Sequence, residues 1–332
     1  MLKVAVVGLG WWGRIITGLL QESAKLRVLM AADVDSASSS TVANQNAIEF
    51  TTEFDRVLQD PRIEAVVLCT PHSQHCEQIV RAAQAKKHVF CEKPLALSRA
   101  DVLKAVAACN ENRVALGVGH EKRFEPPVQE VFRMAAAGEL GTLLQVEANF
   151  SQDKFLSLPP DNWRLSDEEA PAGPMTATGI HLLDLSVGLL GSAESVLARV
   201  RRLGSNLANG DTLAILASFK NGSNALISAI LATPFEGRFA VYGTNGWAEV
   251  RDKAHPEAPE GWAFTFQEKG KPRQTREYPP AKAVLANLEA FADAAAGRSP
   301  YPVPQEQMIA NISALEAVFR SARSGGIERV EN

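Results

Sequence analysis

The sequence predicts two domains of different class. The first is an α/β domain with a doubly wound parallel sheet over residues 1–122, and the second an α+β domain over residues 123–332 with a large, predominantly antiparallel, open-faced sheet. Three observations predict this. A glycine turn, Gly8-Leu9-Gly10-Trp11-Trp12-Gly13, stands between an apolar run at 4–7 and a helix-like stretch at 14–22. Short apolar runs then alternate with helix-like stretches to about residue 120, the rhythm of parallel strands joined by crossover helices. Further on, strand-like runs are separated by turns such as Lys220-Asn221-Gly222 and Thr244-Asn245-Gly246, the rhythm of an antiparallel meander.

Composition narrows the function classes. At ~150 residues per domain, a chain of 332 residues holds about two domains. A hydrophobic fraction of 46% with 22% charged residues is that of a globular protein with a full core. The net charge of −4 gives no electrostatic case for a nucleic-acid or anionic-membrane partner. No apolar run approaches the ~18 residues of a membrane span. Lys3 and the apolar residues after it imitate a secretory signal, but Gly8, Gly10, Gly13 and Arg14 interrupt them and no cleavage site follows. Cys69, Cys76, Cys91 and Cys109 form no Cys-x-x-Cys pair, so a disulfide framework is not expected and a reducing cytoplasm fits.

In the first domain the strand, glycine turn and helix form a dinucleotide-binding fingerprint. Gly8 permits the tight turn, Gly10 lets backbone approach a pyrophosphate, and Gly13 lets the helix pack close to the strand. The N–H groups of the helix start then face the phosphates. The second strand, at 26–32, ends in Asp33, 20 residues after Gly13, where a carboxylate takes the ribose hydroxyls and repels a 2′-phosphate. That favours NAD over NADP. The other reading of Asp33 is a cap for the helix that begins among residues 36–40.

A weak strand near 48–50 and a helix at 53–59 come next, then a buried strand at 65–69. The loop Thr70-Pro71-His72-Ser73-Gln74-His75 follows its carboxyl end, where open parallel sheets bind ligands, so it belongs beside the cofactor. His72, His75 and Cys76 do not have a standard zinc spacing, and no metal is expected; His75 and Cys76 read as the start of a helix to residue 85. The strand at 88–91 delivers Glu92-Lys93-Pro94, with a cis Lys93–Pro94 bond expected and the lysine where a nicotinamide should lie. A helix at 98–109, a strand at 114–118 and Gly119-His120-Glu121-Lys122-Arg123-Phe124 close the domain.

In the second domain a helix at 128–137 precedes strands at 143–150, 195–202, 212–219, 224–231, 238–242 and 247–251. Helices at 282–296 and 305–324 close the chain, and the C-terminal helix is expected to pack back on the first domain. Between the strands lies Gly179-Ile180-His181-Leu182-Leu183-Asp184, which puts His181 and Asp184 on one helical face. Asp184 reads either as a substrate contact or as a buried partner for backbone or an arginine. Arg164, in Asn162-Trp163-Arg164, reads either as a clamp for a carboxylate or hydroxyls or as an anchor for the loop Asp167-Glu168-Glu169.

The glycine turn, Asp33, Thr70-Pro71-His72, Glu92-Lys93-Pro94 and Gly119-His120-Glu121-Lys122-Arg123-Phe124 together resemble the Gfo/Idh/MocA family, the glucose-fructose oxidoreductase and inositol dehydrogenase relatives. The resemblance covers nearly the whole chain. It implies an NAD(P)-dependent oxidoreductase acting on a secondary alcohol of a sugar, cyclic polyol or related diol, with Lys93 and His181 as the catalytic pair. It implies that the cofactor lies against Gly8, Gly10, Trp11, Trp12, Gly13, Asp33, Thr70, Pro71, His72, His75, Glu92, Lys93 and Pro94. It implies His120, Arg123, Trp163, Arg164, Thr178 and Asp184 on the substrate side, and a homodimer or homotetramer formed through the C-terminal sheet. Family members commonly carry an aspartate four residues before the histidine; here that residue is Ala177, and Thr176 or Thr178 would offer a neutral hydrogen bond instead. Two alternatives stay open: a glycosidase-type relative that uses bound NAD, because a shared fold does not fix the reaction, and a non-catalytic nucleotide-binding sensor, which Ala177 keeps open.

Overall fold

Strand β1 (Leu2–Val7) is the centre of a six-stranded parallel sheet. Its residues Val4, Ala5 and Val6 are fully buried, as a strand covered on both faces requires. Around it run α1 (Trp11–Leu20), β2 (Leu26–Ala32), α2 (Ser36–Gln45), β3 (Glu49–Thr51), α3 (Phe54–Gln59), β4 (Ala65–Leu68), α4 (His75–Gln84), β5 (His88–Cys91), α5 (Arg99–Asn112) and β6 (Leu116–Val118). The strand order is β3-β2-β1-β4-β5-β6, all parallel. The order reverses between β1 and β4, so the loops after those two strands flank the topological switch point. Helix α1 starts three residues earlier than expected. Gly10 is its extended N-cap, which puts Trp11, Trp12 and Gly13 in the first turn. The computed structural model describes residues 1–331, apart from the side chains of Ala37 and Ser38; Asn332, the last residue of the expected second domain, lies outside the described residues.

A second unit follows, with α6 (Pro126–Ala136), β7 (Leu143–Ser151), α7 (Ile180–Leu190), β8 (Ala193–Arg201), β9 (Thr212–Phe219), β10 (Asn224–Ile230), β11 (Glu236–Gly243), β12 (Gly246–Asp252), β13 (Trp262–Glu268) and β14 (Gln274–Tyr278). Helices α8 (Ala283–Ala295) and α9 (Gln305–Ser324) and the short strand β15 (Ile327–Arg329) complete the chain. The second sheet has the order β14-β13-β12-β11-β7-β10-β9-β8-β15. Among the described residues β10 with β7 is its single parallel pair, so the sheet is predominantly antiparallel as the turns predicted. Strands β13, β14 and β15 were not expected. Strand β14 is exposed at four of its five residues and carries no alternation to find.

By contacts the chain divides into Met1–Glu121 with Val284–Met308, and Lys122–Ala283 with Ile309–Asn332. The first unit thus includes most of α8: Leu288, Phe291 and Ala292 join the core built on β1, and the Phe291 ring meets Phe90 edge-on at 5.6 Å. In the second unit one face of the sheet is buried, through Val146, Ala148 and Phe150 of β7 and Leu213, Ile215, Ala217 and Phe219 of β9, with α7 packed on β7 and β10. The other face is open. There Leu216 and Leu226 face each other across β9 and β10, each more than two-fifths exposed, beside a charged strip of Glu147, Arg238 and Glu249.

Candidate active site

The glycine turn is built by close approach. Gly8 has φ +89°, and a Cβ there would come within 2.8 Å of the Cys69 carbonyl. A Cβ on Gly13 would sit 1.8 Å from the Gly8 carbonyl oxygen, so this contact of helix with strand demands glycine. Gly10 is different: a Cβ there meets nothing within 4 Å. Protein packing does not require that glycine, and the space above it stays open. Gly10, the N-cap of α1, has no side chain to occupy the space in front of the helix start. The Nε1–H of Trp12, on the same turn, is buried without a partner among the described residues. Asp33 accepts the Leu9 N–H on one carboxylate oxygen and the Asp35 N–H, at 2.8 Å, on the other. It therefore ties the end of β2 to the turn, and a carboxylate keeps further lone pairs for two hydroxyls. Open space at a helix start and an oriented carboxylate together fit a dinucleotide.

The loops after β4 and β5 are braced against each other. The Lys93–Pro94 bond is cis, as the sequence predicted. Lys93 is half-buried, and its N–H lies 3.3 Å from a carboxylate oxygen of Glu92, which is packed against Gly119. His75 corrects an expectation. It is fully buried, with Nδ1 2.7 Å from the Pro94 carbonyl and Nε2 3.0 Å from the Thr70 carbonyl, so both ring nitrogens join the two loops and none reaches outward to a cofactor. His72 is buried with its ring edge-on to His75 at 5.8 Å, and the Thr70 hydroxyl donates to Gln78 at 2.6 Å. Pro71 is half-buried and His120 is buried beyond β6.

In the second unit a π-helical turn, Met175–Gly179, leads into α7 and sets His181 on its first turn, 3% exposed and 6.1 Å ring to ring from Phe150. Of the two readings of Asp184, the structure has the buried partner for an arginine, and that arginine is Arg123. The Arg123 guanidinium binds both carboxylate oxygens of Asp184, at 2.6 and 2.9 Å, and the Asp184 carbonyl at 2.8 Å. It also lies over the Phe132 ring, in space that a Cβ on Gly188 would fill. Each charge satisfies the other inside the core. The Thr176 and Thr178 hydroxyls donate to the Gly173 and Pro174 carbonyls, so the neutral hydrogen bond either could offer is as an acceptor. Ala177 packs on an apolar cluster of Phe155, Leu207 and Leu231, where an aspartate would lose its hydration. Arg164 stacks on Trp163 at 4.2 Å, and its carbonyl accepts a hydrogen bond from Asn209.

Two groups of residues escaped the sequence reading. Lys122 is buried between Glu125 and Asp252 at 3.1 and 3.0 Å. Burial disfavours its ammonium, but the two carboxylates outweigh that and raise its pKa. The second group surrounds Phe150, whose ring meets Phe235 at 6.1 Å and His255 at 5.9 Å; His255 Nδ1 is 3.0 Å from Lys154 Nζ, which also binds Glu257 at 2.7 Å. The available signal was the polar sequence Gln152-Asp153-Lys154 directly after a strand end.

Fold and site together define a two-part oxidoreductase with a dinucleotide-binding domain. Residues 2–120 match the profile of an oxidoreductase family with an NAD-binding Rossmann fold, and residues 128–249 match the GFO/IDH/MocA C-terminal domain. The chain belongs to the Gfo/Idh/MocA family. It is 26% identical over 252 residues to inositol 2-dehydrogenase of Rhizobium meliloti, covering 74% of each chain. It is 25% identical over 323 residues to the rhizopine catabolism protein MocA of the same species, covering 95% of this chain and 93% of that one. The crystal structure of aldose-aldose oxidoreductase from Caulobacter crescentus, complexed with glycerol, superposes with a TM-score of 0.86 at 27% identity over 99% of both chains.

Proposed function

We propose that this oxidoreductase acts on a secondary alcohol, or the corresponding ketone, of a sugar, cyclic polyol or related diol. Lys93 and His181 would act on the reacting hydroxyl, and NAD would be preferred to NADP. The observation that carries the reading is the support of Lys93. Its N–H meets Glu92, and the carbonyl of the next residue is held by the buried His75, so the lysine leaves a braced turn and not a loose loop. The names of the relatives, an inositol dehydrogenase and an aldose oxidoreductase, support the substrate class.

Gly8, Gly10, Trp11, Trp12 and Gly13 would hold the pyrophosphate, and Asp33 the adenosine ribose, where its charge disfavours a 2′-phosphate. When bound, NAD supplies the hydride acceptor. The chain's own residues handle the hydroxyl proton. Lys93 Nζ would take it or stabilise the alkoxide, and the His181 imidazole would be the second group able to hold it. Ala177 leaves that pair without the family's aspartate, so proton transfer would rest on the lysine and histidine alone. Chains would associate as a homodimer or homotetramer through the open face of the second sheet, in the cytoplasm.

Lys93→Ala and His181→Ala should each lower kcat by about 10² or more, since a positioned acid or base contributes ~10²–10⁴, while NADH binding followed by fluorescence stays unchanged in His181→Ala. Wild-type turnover in either variant removes that residue from the mechanism. Light scattering that finds only monomer at micromolar concentration overturns the assembly.

A further inference from the structure

Beyond Phe150 the chain still pairs as a strand, because the Gln152 N–H donates to the Ile230 carbonyl at 2.8 Å. Side chains alternate there. Asn149 and Ser151 hydrogen-bond to each other on the open side of the sheet, which puts Gln152 on the helix-covered side with Phe150. Gln152 is 5% exposed, and its Oε1 is buried without a hydrogen-bond partner among the described residues. A buried amide oxygen left unpaired costs about 1–3 kcal/mol, so native proteins supply a donor.

The surroundings say what kind of donor. Gln152 lies about 7 Å beyond Phe150, two residues at the strand rise, and the Phe150 ring packs on His181. On its other flank the same ring meets His255 and Phe235, with Lys154 and Glu257 behind His255. The ammonium of Lys154 and the N–H of Glu257 only donate, so His255 Nδ1 is an acceptor and the ring's proton sits on Nε2. Lys154 and Glu257 cancel each other's charge. The Lys122 ammonium stands 5.0 Å from the Phe150 ring centroid and is answered by Glu125 and Asp252, so the wall offers an apolar ring, an orphan acceptor and an amide donor without net positive charge. It suits a group that both donates and accepts, carried on an uncharged ring; a carboxylate or phosphate would find no net positive charge there.

We infer that Gln152 forms a hydroxyl-binding subsite, in which its Oε1 accepts a hydrogen bond from a hydroxyl of a neutral polyhydroxylated ring whose reacting carbon lies toward His181. The inference rests on the substrate class proposed above. Gln152 positions the ring and takes no part in proton transfer at the reacting hydroxyl.

The test is Gln152→Met, which keeps the volume and removes the polar atoms. The assay is NAD reduction with myo-inositol, D-xylose and D-glucose, and with cyclohexanol as an alcohol that has no second hydroxyl. Thermal melts are run with and without each alcohol. Q152M should raise KM for the polyhydroxylated substrates about tenfold with kcat little changed, lose their thermal stabilisation, and leave cyclohexanol unaffected. Its own melting temperature should be equal or higher, because the removed group was unpaired. If the wild type turns over the polyols and Q152M matches it, or if Q152M melts lower, the substrate class stands and the subsite falls. If the wild type neither reduces NAD nor gains thermal stability with any of these alcohols, the substrate class and the subsite fall together.

Discussion

At the start of α1 the protein leaves space. Gly10 at the N-cap carries no side chain, and a Cβ there would meet nothing within 4 Å. Around α7 it does the reverse, and the strongest charges are closed on one another: Arg123 on Asp184, Lys122 on Glu125 and Asp252. The difference follows from the two jobs. A pyrophosphate brings its own charge and needs backbone N–H groups that nothing else has taken. A buried ion left open for an occasional substrate would cost several kcal/mol while the site waited. Arg123 and Lys122 are thus tied into the scaffold, and the proposed neutral substrate would meet polar but uncharged groups such as Gln152.

Three experiments would break or sharpen that contrast. The largest effect should come from Arg123→Ala, which strands the Asp184 carboxylate in the core. Urea unfolding should show a loss of about 3–5 kcal/mol, and replacing both partners by apolar residues (Arg123→Met with Asp184→Leu) should recover much of it. A loss under 1 kcal/mol would mean that the pair is not closed and would return both residues to the substrate side.

A middle effect is expected at Asp211, whose carboxylate is fully buried. Burial raises its pKa, but donors from Leu203, Ser205, Thr212 and Gly204 outweigh that and hold it at about 2. A depressed carboxylate pKa stabilises the fold above its unfolded value near ~4, and that contribution disappears as pH falls through the folded value. The wild type should thus lose about 2 kcal/mol as pH falls from about 4 to about 2, and Asp211→Asn should lack that component. Stability curves that stay parallel over this range would refute it. The smallest effect on the fold is expected at Gly10→Ala. Its melting temperature should not change, yet NADH should bind about tenfold more weakly, as space reserved for a ligand requires. Gly13→Ala is the control that should lose both.

The legible parts of the molecule were those whose causes are local. Strands β1 and β4 are covered on both faces and so read as unbroken valine-rich runs; the turn at Gly8 and the cis bond at Pro94 are set by one or two residues. What stayed hidden depends on partners far away in sequence. Arg123 and Asp184 are 61 residues apart; Asp184 reads as a buried partner for an arginine, but nothing in its segment says which arginine. His75 lies 19 residues before the carbonyl that holds its Nδ1. The inclusion of α8 in the first unit has the same origin, since an amphipathic helix announces that it must be buried but not where.

The two ends of the nine-stranded sheet carry a last consequence. One end is β14, its solvent-facing residues polar or charged; the other is β15, only three residues long, with Glu328 and Arg329 beside Ile327. Short or charged rims refuse further hydrogen-bonded strands, which is how natural sheets avoid growing sideways into fibres. The molecule is thus blunted against runaway polymerisation at its rims. The open face with Leu216 and Leu226 is where the proposed association would take place, and two such faces stacked together would cover each other.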